Sequence, residues 1–467
     1  MRPFELTFSL LGLFASLLYL VPSTPTRIKR WALPAVLALA GTAQFSLEGF
    51  RWQLWPLYLG AGLLILVGMG QLPRRGERAL AVAAAAFSLL SLAGGIILPV
   101  PDPFPITGPY PVGTREISLV DPTRQEIYGE DPGGPREFTA QIWYPAAPEA
   151  GDQRAPWMPA IRYAGPAIAR SFGLPDFALD HLQQVQANAF LQAPPAPGKD
   201  PFPLLIFSHG WEGFKEQNIY QVEELASQGY VVVAINHTYG AVLTVLPDGR
   251  QLPTDQQALP EGVSQSAYDR ASDRLSAQWA GDIRWTLDEL TRWNAEEDWF
   301  LAGRLDLDRV GLLGHSTGGG AAVRFCLVDP RCQAVLGMDV WSEPIQTAIA
   351  DQILTQPALF LYSENWDSLD NRERNYGLMA QLVEGATGET AEITLAGTKH
   401  ADFSSLPLLS PLAPVLGWKG PIDGKLVLEI INAESVAFFD QALRGDPEAS
   451  PEKVAERYPE ALYGQRP

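Results

Sequence analysis

The run Val310-Gly311-Leu312-Leu313-Gly314-His315-Ser316-Thr317-Gly318-Gly319-Gly320 passes at a single residue from an apolar strand into a helix-forming segment. Its centre, Gly314-His315-Ser316-Thr317-Gly318, has the spacing Gly-x-Ser-x-Gly. A serine on so sharp a turn takes strained dihedrals, and flanking glycines let neighbouring backbone approach. Its hydroxyl then stands clear of the strand, and the helix N-terminus beyond it presents N–H groups to a developing oxyanion. Ser316 is therefore the candidate nucleophile.

Outward from this run, apolar strand-like stretches alternate with helical ones. Leu204–Ser208, Val231–Asn236, Val310–Gly314, Ala334–Met338, Ala358–Tyr362 and Glu392–Leu395 read as strands. Gln217–Gln228, Ser266–Asn294, Gly318–Leu327, Arg372–Val383 and Lys425–Leu443 read as helices. Continuous apolar strands separated by helices imply the α/β class, a mostly parallel sheet flanked by helices. Before them, Glu116–Val120 and Thr139–Tyr144, with a turn at Asp131–Pro135 between, suggest an antiparallel addition at one edge. The segment Ala241–Pro260, centred on Pro247-Asp248-Gly249, interrupts the rhythm like a hairpin insertion.

A serine nucleophile needs a base, an acid and an oxyanion site. In hydrolases with this turn the chain order is Ser, acid, His. Of five histidines only His400 follows Ser316, just beyond the last strand. His181 reads as a surface residue, His237 as a strand-end residue with a local hydrogen bond, and His315 as packing. The acid is open between Asp339, which ends the strand Ala334–Met338, and Glu364 or Asp367 after the next strand. For the oxyanion, the backbone N–H of Thr317 and that of Trp211, in the loop His209-Gly210-Trp211 after Leu204–Ser208, are the candidate donors.

The first hundred residues read as membrane. Phe4–Val21, Trp31–Leu47, Leu54–Met69 and Leu80–Val100 are apolar and each close to the length that crosses about 30 Å of hydrocarbon as a helix. Basic residues lie between the first and second (Arg27, Lys29, Arg30) and between the third and fourth (Arg74, Arg75, Arg78), loops that are expected on the cytoplasmic side. Four spans then place everything after Val100 outside the cytoplasm. Residues 1–105 carry eight basic and four acidic side chains, so of the net charge of −19 the remainder holds −23. An acidic soluble part excludes nucleic acid as a partner, since phosphate contacts need clustered Lys and Arg. The expected layout is a transmembrane region at 1–100, a proline-rich linker at 101–112, a catalytic domain at 113–446 and a tail at 447–467.

Two cysteines, Cys326 and Cys332, either bridge the turn at Asp329-Pro330 or remain buried thiols. With no Cys-x-x-Cys pattern and scattered histidines, neither a metal nor another cofactor is expected.

Several pieces together resemble a known family: Gly108-Pro109-Tyr110-Pro111-Val112-Gly113, Ile142-Trp143-Tyr144-Pro145, Phe207-Ser208-His209-Gly210-Trp211, Gly314–Gly319, Met338-Asp339-Val340-Trp341 and His400-Ala401-Asp402-Phe403. In order and spacing they resemble the platelet-activating-factor acetylhydrolase-like branch (plasma and intracellular isoform II) of the α/β-hydrolase superfamily. The resemblance implies an α/β-hydrolase fold, favours Asp339 as the acid, and maps the oxyanion donors onto Trp211 and Thr317. It implies a metal-free enzyme that removes short sn-2 acyl groups from phospholipids through an acyl-enzyme. Thr317 departs from the aromatic residue frequent at that position, and the membrane unit lies outside the resemblance. Rival readings are a general carboxylesterase or dienelactone-hydrolase-like enzyme, a peptidase or acyltransferase, and a membrane sensor or scaffold with a silent hydrolase domain.

Overall fold

The computed structural model describes residues 1–70, 72–130 and 132–467, so Asp131, the first residue of the expected turn at 131–135, lies outside the described residues. The chain divides into two compact units. One is Met1–Asp102 with the short segments Phe177–Val185 and Leu408–Val415; the other is Pro103–Asp176, Gln186–Pro407 and Leu416–Pro467.

The first unit contains helices α1 (Pro3–Leu20), α2 (Leu33–Glu48), α3 (Trp55–Met69) and α4 (Arg74–Ile97). Polar ties gather four of their ends. Arg2 donates to the Glu48 carbonyl (2.6 Å), the Glu5 N–H to the Glu48 carboxylate (2.8 Å), and Arg51 to both Glu5 (2.8 Å) and the Leu98 carbonyl (2.8 Å). The start of α1, the end of α2, the approach to α3 and the end of α4 therefore meet, so the four helices alternate in direction. Three helices are long and apolar enough to cross a membrane: Pro3–Leu20, Trp52–Met69 and Arg74–Ile97. The fourth expected span, α2, has by itself only 16 residues, about 24 Å of helix. A π-helical turn, Ile28–Ala32, runs directly into it. His181, expected at the surface, is 2% exposed within this unit, and burial, with Arg51 nearby, lowers its pKa to about 4.

The second unit has strands β1 (Val112–Gln125), β2 (Pro135–Pro145), β3 (Arg154–Pro156), β4 (Gln186–Leu191), β5 (Phe202–Ser208), β6 (Val231–Asn236), β7 (Leu243–Val245), β8 (Gln251–Pro253), β9 (Leu305–His315), β10 (Ala334–Met338), β11 (Ala358–Asn365), β12 (Thr390–Lys399) and β13 (Ala461–Tyr463). Its helices are α5 (Ile161–Ser171), α6 (Ile219–Ser227), α7 (Gln265–Asn294), α8 (Thr317–Val328), α9 (Gln346–Asp351), α10 (Arg372–Gly385), α11 (Gly424–Arg444) and α12 (Pro451–Ala455).

Eleven strands form one sheet in the order β13-β12-β11-β10-β9-β5-β6-β2-β1-β4-β3, while β7 and β8 pair as the expected hairpin. The six central strands, β12 to β6 in that order, are parallel. Of these, β5, β6 and β10 are buried on both faces, which is why they read as unbroken apolar runs. Antiparallel strands cap both edges rather than one. At the far edge β13 pairs with β12, and Arg466 binds the Glu392 carboxylate through two nitrogens (2.7 and 2.8 Å). The expected tail at 447–467 holds a helix, α12, and an edge strand, β13. The proline-rich stretch is also docked: the Thr107 N–H and hydroxyl donate to Glu224 of α6 at 2.8 and 2.5 Å.

Helix α7 illustrates the link from pattern to packing. Its buried apolar residues Ala271, Leu275, Trp279, Ile283, Leu287 and Leu290 recur at three- and four-residue steps, a single stripe that lies against the core and α8. Each large side chain buried there contributes roughly 1.5–3 kcal/mol. Cys326 near the end of α8 and Cys332 ahead of β10 form a disulfide, with Cα atoms 5.1 Å apart.

Candidate active site

β9 ends at His315 and α8 begins at Thr317, leaving Ser316 alone between them with φ 55° and ψ −122°. For a non-glycine residue this left-handed value costs on the order of 1–2 kcal/mol. The strained turn is tied down on both sides. The Ser316 N–H donates to the Met338 carbonyl (2.9 Å), and its carbonyl accepts from Gly320 (3.0 Å) and Trp341 (3.1 Å). Two glycines make this turn possible. A Cβ on Gly314 would lie 2.5 Å from the Gly318 carbonyl oxygen, and one on Gly318 only 2.2 Å from the Ser208 and His209 carbonyl oxygens.

The ends of neighbouring parallel strands bring the other candidates to the same edge, since β10 lies between β9 and β11. His400 donates through Nδ1 to Asp339 Oδ2 at 3.0 Å, which leaves its Nε2 as the ring's acceptor. Asp339, wholly buried and itself at φ 42°, also accepts from the Ser363 N–H (2.6 Å) and hydroxyl (2.5 Å). Three donors on one carboxylate fix its orientation. The other acids open from sequence are engaged elsewhere: Asp367 pairs with Lys399 (2.8 Å) and Glu364 accepts from the Gly397 N–H (2.7 Å).

Thr317 is the first residue of α8, where a backbone N–H has no acceptor within its own helix. In the facing loop the Glu212 and Gly213 N–H groups bond to Gly240 and Gly210 carbonyls, both at 2.9 Å. Among the described residues the Trp211 N–H between them and Gly210 makes no hydrogen bond. Gln217 ties the loops together. It accepts from the Gly210 N–H (3.2 Å), donates to His315 Nδ1 (3.0 Å), and its carbonyl takes the Ser405 N–H (2.9 Å) and hydroxyl (2.8 Å). His315 in turn donates from Nε2 to the His400 carbonyl (3.1 Å), and burial followed by its neighbour His400 drives its pKa well down. It is a neutral strut between the Ser316 turn and the His400 loop.

Ser316, Thr317, Trp211, Gln217, His315 and His400 all line one cavity of about 1360 Å³, whose walls include the rings of Phe172, Tyr268, Trp341, Trp366 and Trp418. Ser363, Trp366 and Gln217 were not legible as site residues. Each lies in or beside a loop whose destination depends on strand order, and no motif surrounds them. Among the described residues no cluster of three or more His, Cys, Asp or Glu is arranged to hold a metal.

With this geometry in view, the comparisons are specific. The family described as platelet-activating factor acetylhydrolase, isoform II, matches residues 103–253 and 294–451. The chain belongs to that family. Individual platelet-activating factor acetylhydrolases similar to it include that of Cavia porcellus, 23% identical over 361 residues (72% of this chain, 77% of the relative). That of Gallus gallus is 23% identical over 366 residues (72% and 82%). A probable 1-alkyl-2-acetylglycerophosphocholine esterase of Arthroderma benhamiae is 26% identical over 168 residues, 33% of this chain and 43% of the relative. Among solved structures, a ferulic acid esterase from Streptomyces cinnamoneus aligns with TM-score 0.62 and 25% identity, over 79% of this chain and all of the esterase. The relatives named here are acetylhydrolases and esterases.

Proposed function

We propose that this chain is a membrane-anchored serine hydrolase that removes short sn-2 acyl groups from phospholipids through an acyl-enzyme on Ser316. That it hydrolyses carboxylic esters follows from its family. The finer reading rests on one observation: the His400–Asp339 hydrogen bond, with the strained Ser316 on the wall of the same cavity. In this reading His400 Nε2 takes the Ser316 proton as Oγ attacks the ester carbonyl, then returns it to the leaving alcohol. Asp339 keeps the imidazole in the tautomer that accepts at Nε2 and offsets its transient charge. The Trp211 and Thr317 N–H groups receive the oxyanion. Water repeats the sequence and releases the acid.

The anchor supports a lipid substrate, because a site held at a bilayer meets amphiphiles at high local concentration. Alternating helices with basic loops at one end support four crossings, α2 being extended by the π-helical turn. The catalytic unit then lies outside the cytoplasm, where the Cys326–Cys332 bridge persists. A second reading, esters of aromatic acids, is favoured by the ring-lined cavity.

The test uses the detergent-solubilised full chain, wild type and Ser316→Ala, on p-nitrophenyl acetate, methyl ferulate and phospholipids that differ only in sn-2 chain length. Acetyl phospholipid is expected to have the highest kcat/KM, with at least a tenfold fall on reaching long chains, and Ser316→Ala to be silent throughout. Preference for the ferulate would favour the second reading. No turnover of any ester by the wild type, or turnover by Ser316→Ala, would end the serine-esterase reading.

A further inference from the structure

Beneath the oxyanion loop lies a second serine–histidine–aspartate series that catalysis does not use. Ser208, the last residue of β5, donates its hydroxyl to His237 Nε2 (2.8 Å), and His237 Nδ1 donates to Asp282 Oδ2 of α7 (2.9 Å). All three side chains are wholly or almost wholly buried, and none lines the cavity. Asp282 is clamped further by Arg136, whose Nη2 and Nε donate at 2.7 and 3.1 Å, and by Arg124 at 2.8 Å. Burial alone would raise the Asp282 pKa, but Arg136, His237 and Arg124 hold it far below the usual carboxylate range. The His237 ring lies flat on Trp279, centroids 4.2 Å apart and planes 6° from parallel. Sealed from substrate, the series is a fixed frame.

His209 links that frame to the loop. The backbone N–H of His237 donates to His209 Nε2 at 3.1 Å, so Nε2 must accept and the proton sits on Nδ1. That Nδ1–H donates to the Gly210 carbonyl at 2.7 Å, which the Gly213 N–H also reaches at 2.9 Å. Burial, followed by the proximity of His237, lowers the His209 pKa well below the ordinary value and keeps the ring neutral. The Gly210–Trp211 peptide is trans, like every peptide bond among the described residues. Its N–H therefore points opposite to its carbonyl. With the carbonyl drawn inward to His209, the Trp211 N–H faces the other way, where Gly210 and Trp211 line the cavity beside Ser316.

We propose that His209, held in its Nδ1–H tautomer by the buried Ser208–His237–Asp282 frame, is the positioning residue that aims the Trp211 N–H at the oxyanion. This rests on the reading of Trp211 as an oxyanion donor. It assigns His209 no contact with substrate: the residue acts only through the peptide plane it orients.

Two polar substitutions separate positioning from packing. In His209→Asn the amide N–H falls near the place of Nδ1 and can still reach the Gly210 carbonyl; in His209→Gln it falls near Nε2 and cannot. For His209→Gln we expect kcat for p-nitrophenyl acetate to fall about 10- to 100-fold with KM within about twofold, since an oxyanion contact strengthens only in the transition state. Binding of a trifluoromethyl ketone, which forms a tetrahedral adduct, should weaken by a similar factor. His209→Asn should recover most of that loss. Equal impairment of the two variants, a loss confined to KM, or failure of both to fold would overturn the proposal. Ser316→Ala in parallel keeps the readings apart. If it is inactive while His209→Gln turns over like wild type, only the positioning role fails; if Ser316→Ala is active, the underlying mechanism fails.

Discussion

The imidazole of His400 lies flat against the indole of Trp366, with ring centroids 3.9 Å apart and planes 6° from parallel. Trp366 follows β11 directly, one residue past its last position, so the strand that supplies Ser363 to Asp339 also supplies the face on which His400 rests. The aromatic face fixes the ring's plane through a contact worth roughly 0.5–1.5 kcal/mol. Trp366→Ala is accordingly expected to lower kcat about 2- to 10-fold with little change in KM, and Trp366→Phe to lose less. Steady-state kinetics on p-nitrophenyl acetate check this, and an unchanged kcat in Trp366→Ala would remove the ring from the account.

Asp339→Asn should be far more damaging. Asparagine in its place can present an N–H to His400 and turn the imidazole to the wrong tautomer, for a loss in kcat of roughly 10³–10⁴-fold. Asp367→Asn is the control, because that carboxylate pairs with Lys399 at the surface. It should stay within about twofold of wild type. A larger effect at 367 than at 339 would exchange the roles of the two acids.

Gly318→Ala should cost both activity and stability, since its Cβ would meet the Ser208 and His209 carbonyl oxygens at 2.2 Å and neither backbone can yield without moving β5. We expect about 3 kcal/mol of destabilisation, visible as a fall in Tm of roughly 5 °C or more, together with at least tenfold lower kcat. Wild-type melting and turnover in this variant would contradict the close approach of loop and helix.

Glu434 makes stability pH-dependent. Its carboxyl is buried in α11 with neither oxygen hydrogen-bonded among the described residues, and burial pushes its pKa up to about 9 from an ordinary 4.5. The folded chain therefore keeps a proton that the unfolded chain has released, and stability present below about pH 4.5 is lost progressively as the pH rises to about 9. In Glu434→Gln that slope should vanish. Melting both proteins between pH 5 and pH 9 should show the wild type losing several degrees relative to the variant, whereas parallel curves would place Glu434 in a solvated site.

The disulfide closes a short loop, so its contribution is modest. For the six-residue separation of Cys326 and Cys332, loop closure stabilises by about 2 kcal/mol. Cys326→Ser with Cys332→Ser should lower Tm by a few degrees and leave KM unchanged. A shift in KM would mean that the end of α8 transmits strain to Ser316 at its start.

Much of the second unit was legible because its signals are local. A strand buried on both faces must be apolar throughout, and β6 and β10 have the limits expected from their apolar runs alone. Amphipathic spacing placed α7 to within one residue. Edge elements were less visible. β3 and β13 have three residues each, and whether such a segment pairs depends on the neighbour that reaches it. In the first unit composition gave four apolar stretches, but α2 is short and meets the preceding π-helical turn, a backbone detail that composition does not carry.

By itself the sequence determined the alternating α/β order, the Gly-x-Ser-x-Gly turn at Ser316, the single histidine beyond it and the apolar character of the first hundred residues, because each depends on residues near in the chain. Only the tertiary structure decided that Asp339 rather than Asp367 meets His400, that Trp366 backs the imidazole, and that Ser208, His237 and Asp282 form a sealed frame under the His209–Trp211 loop. Those pairings join residues 29 to 61 positions apart, where side chains meet only after the sheet has fixed which loop lies beside which. Propensity acts along the chain; a three-ångström hydrogen bond is chosen across it.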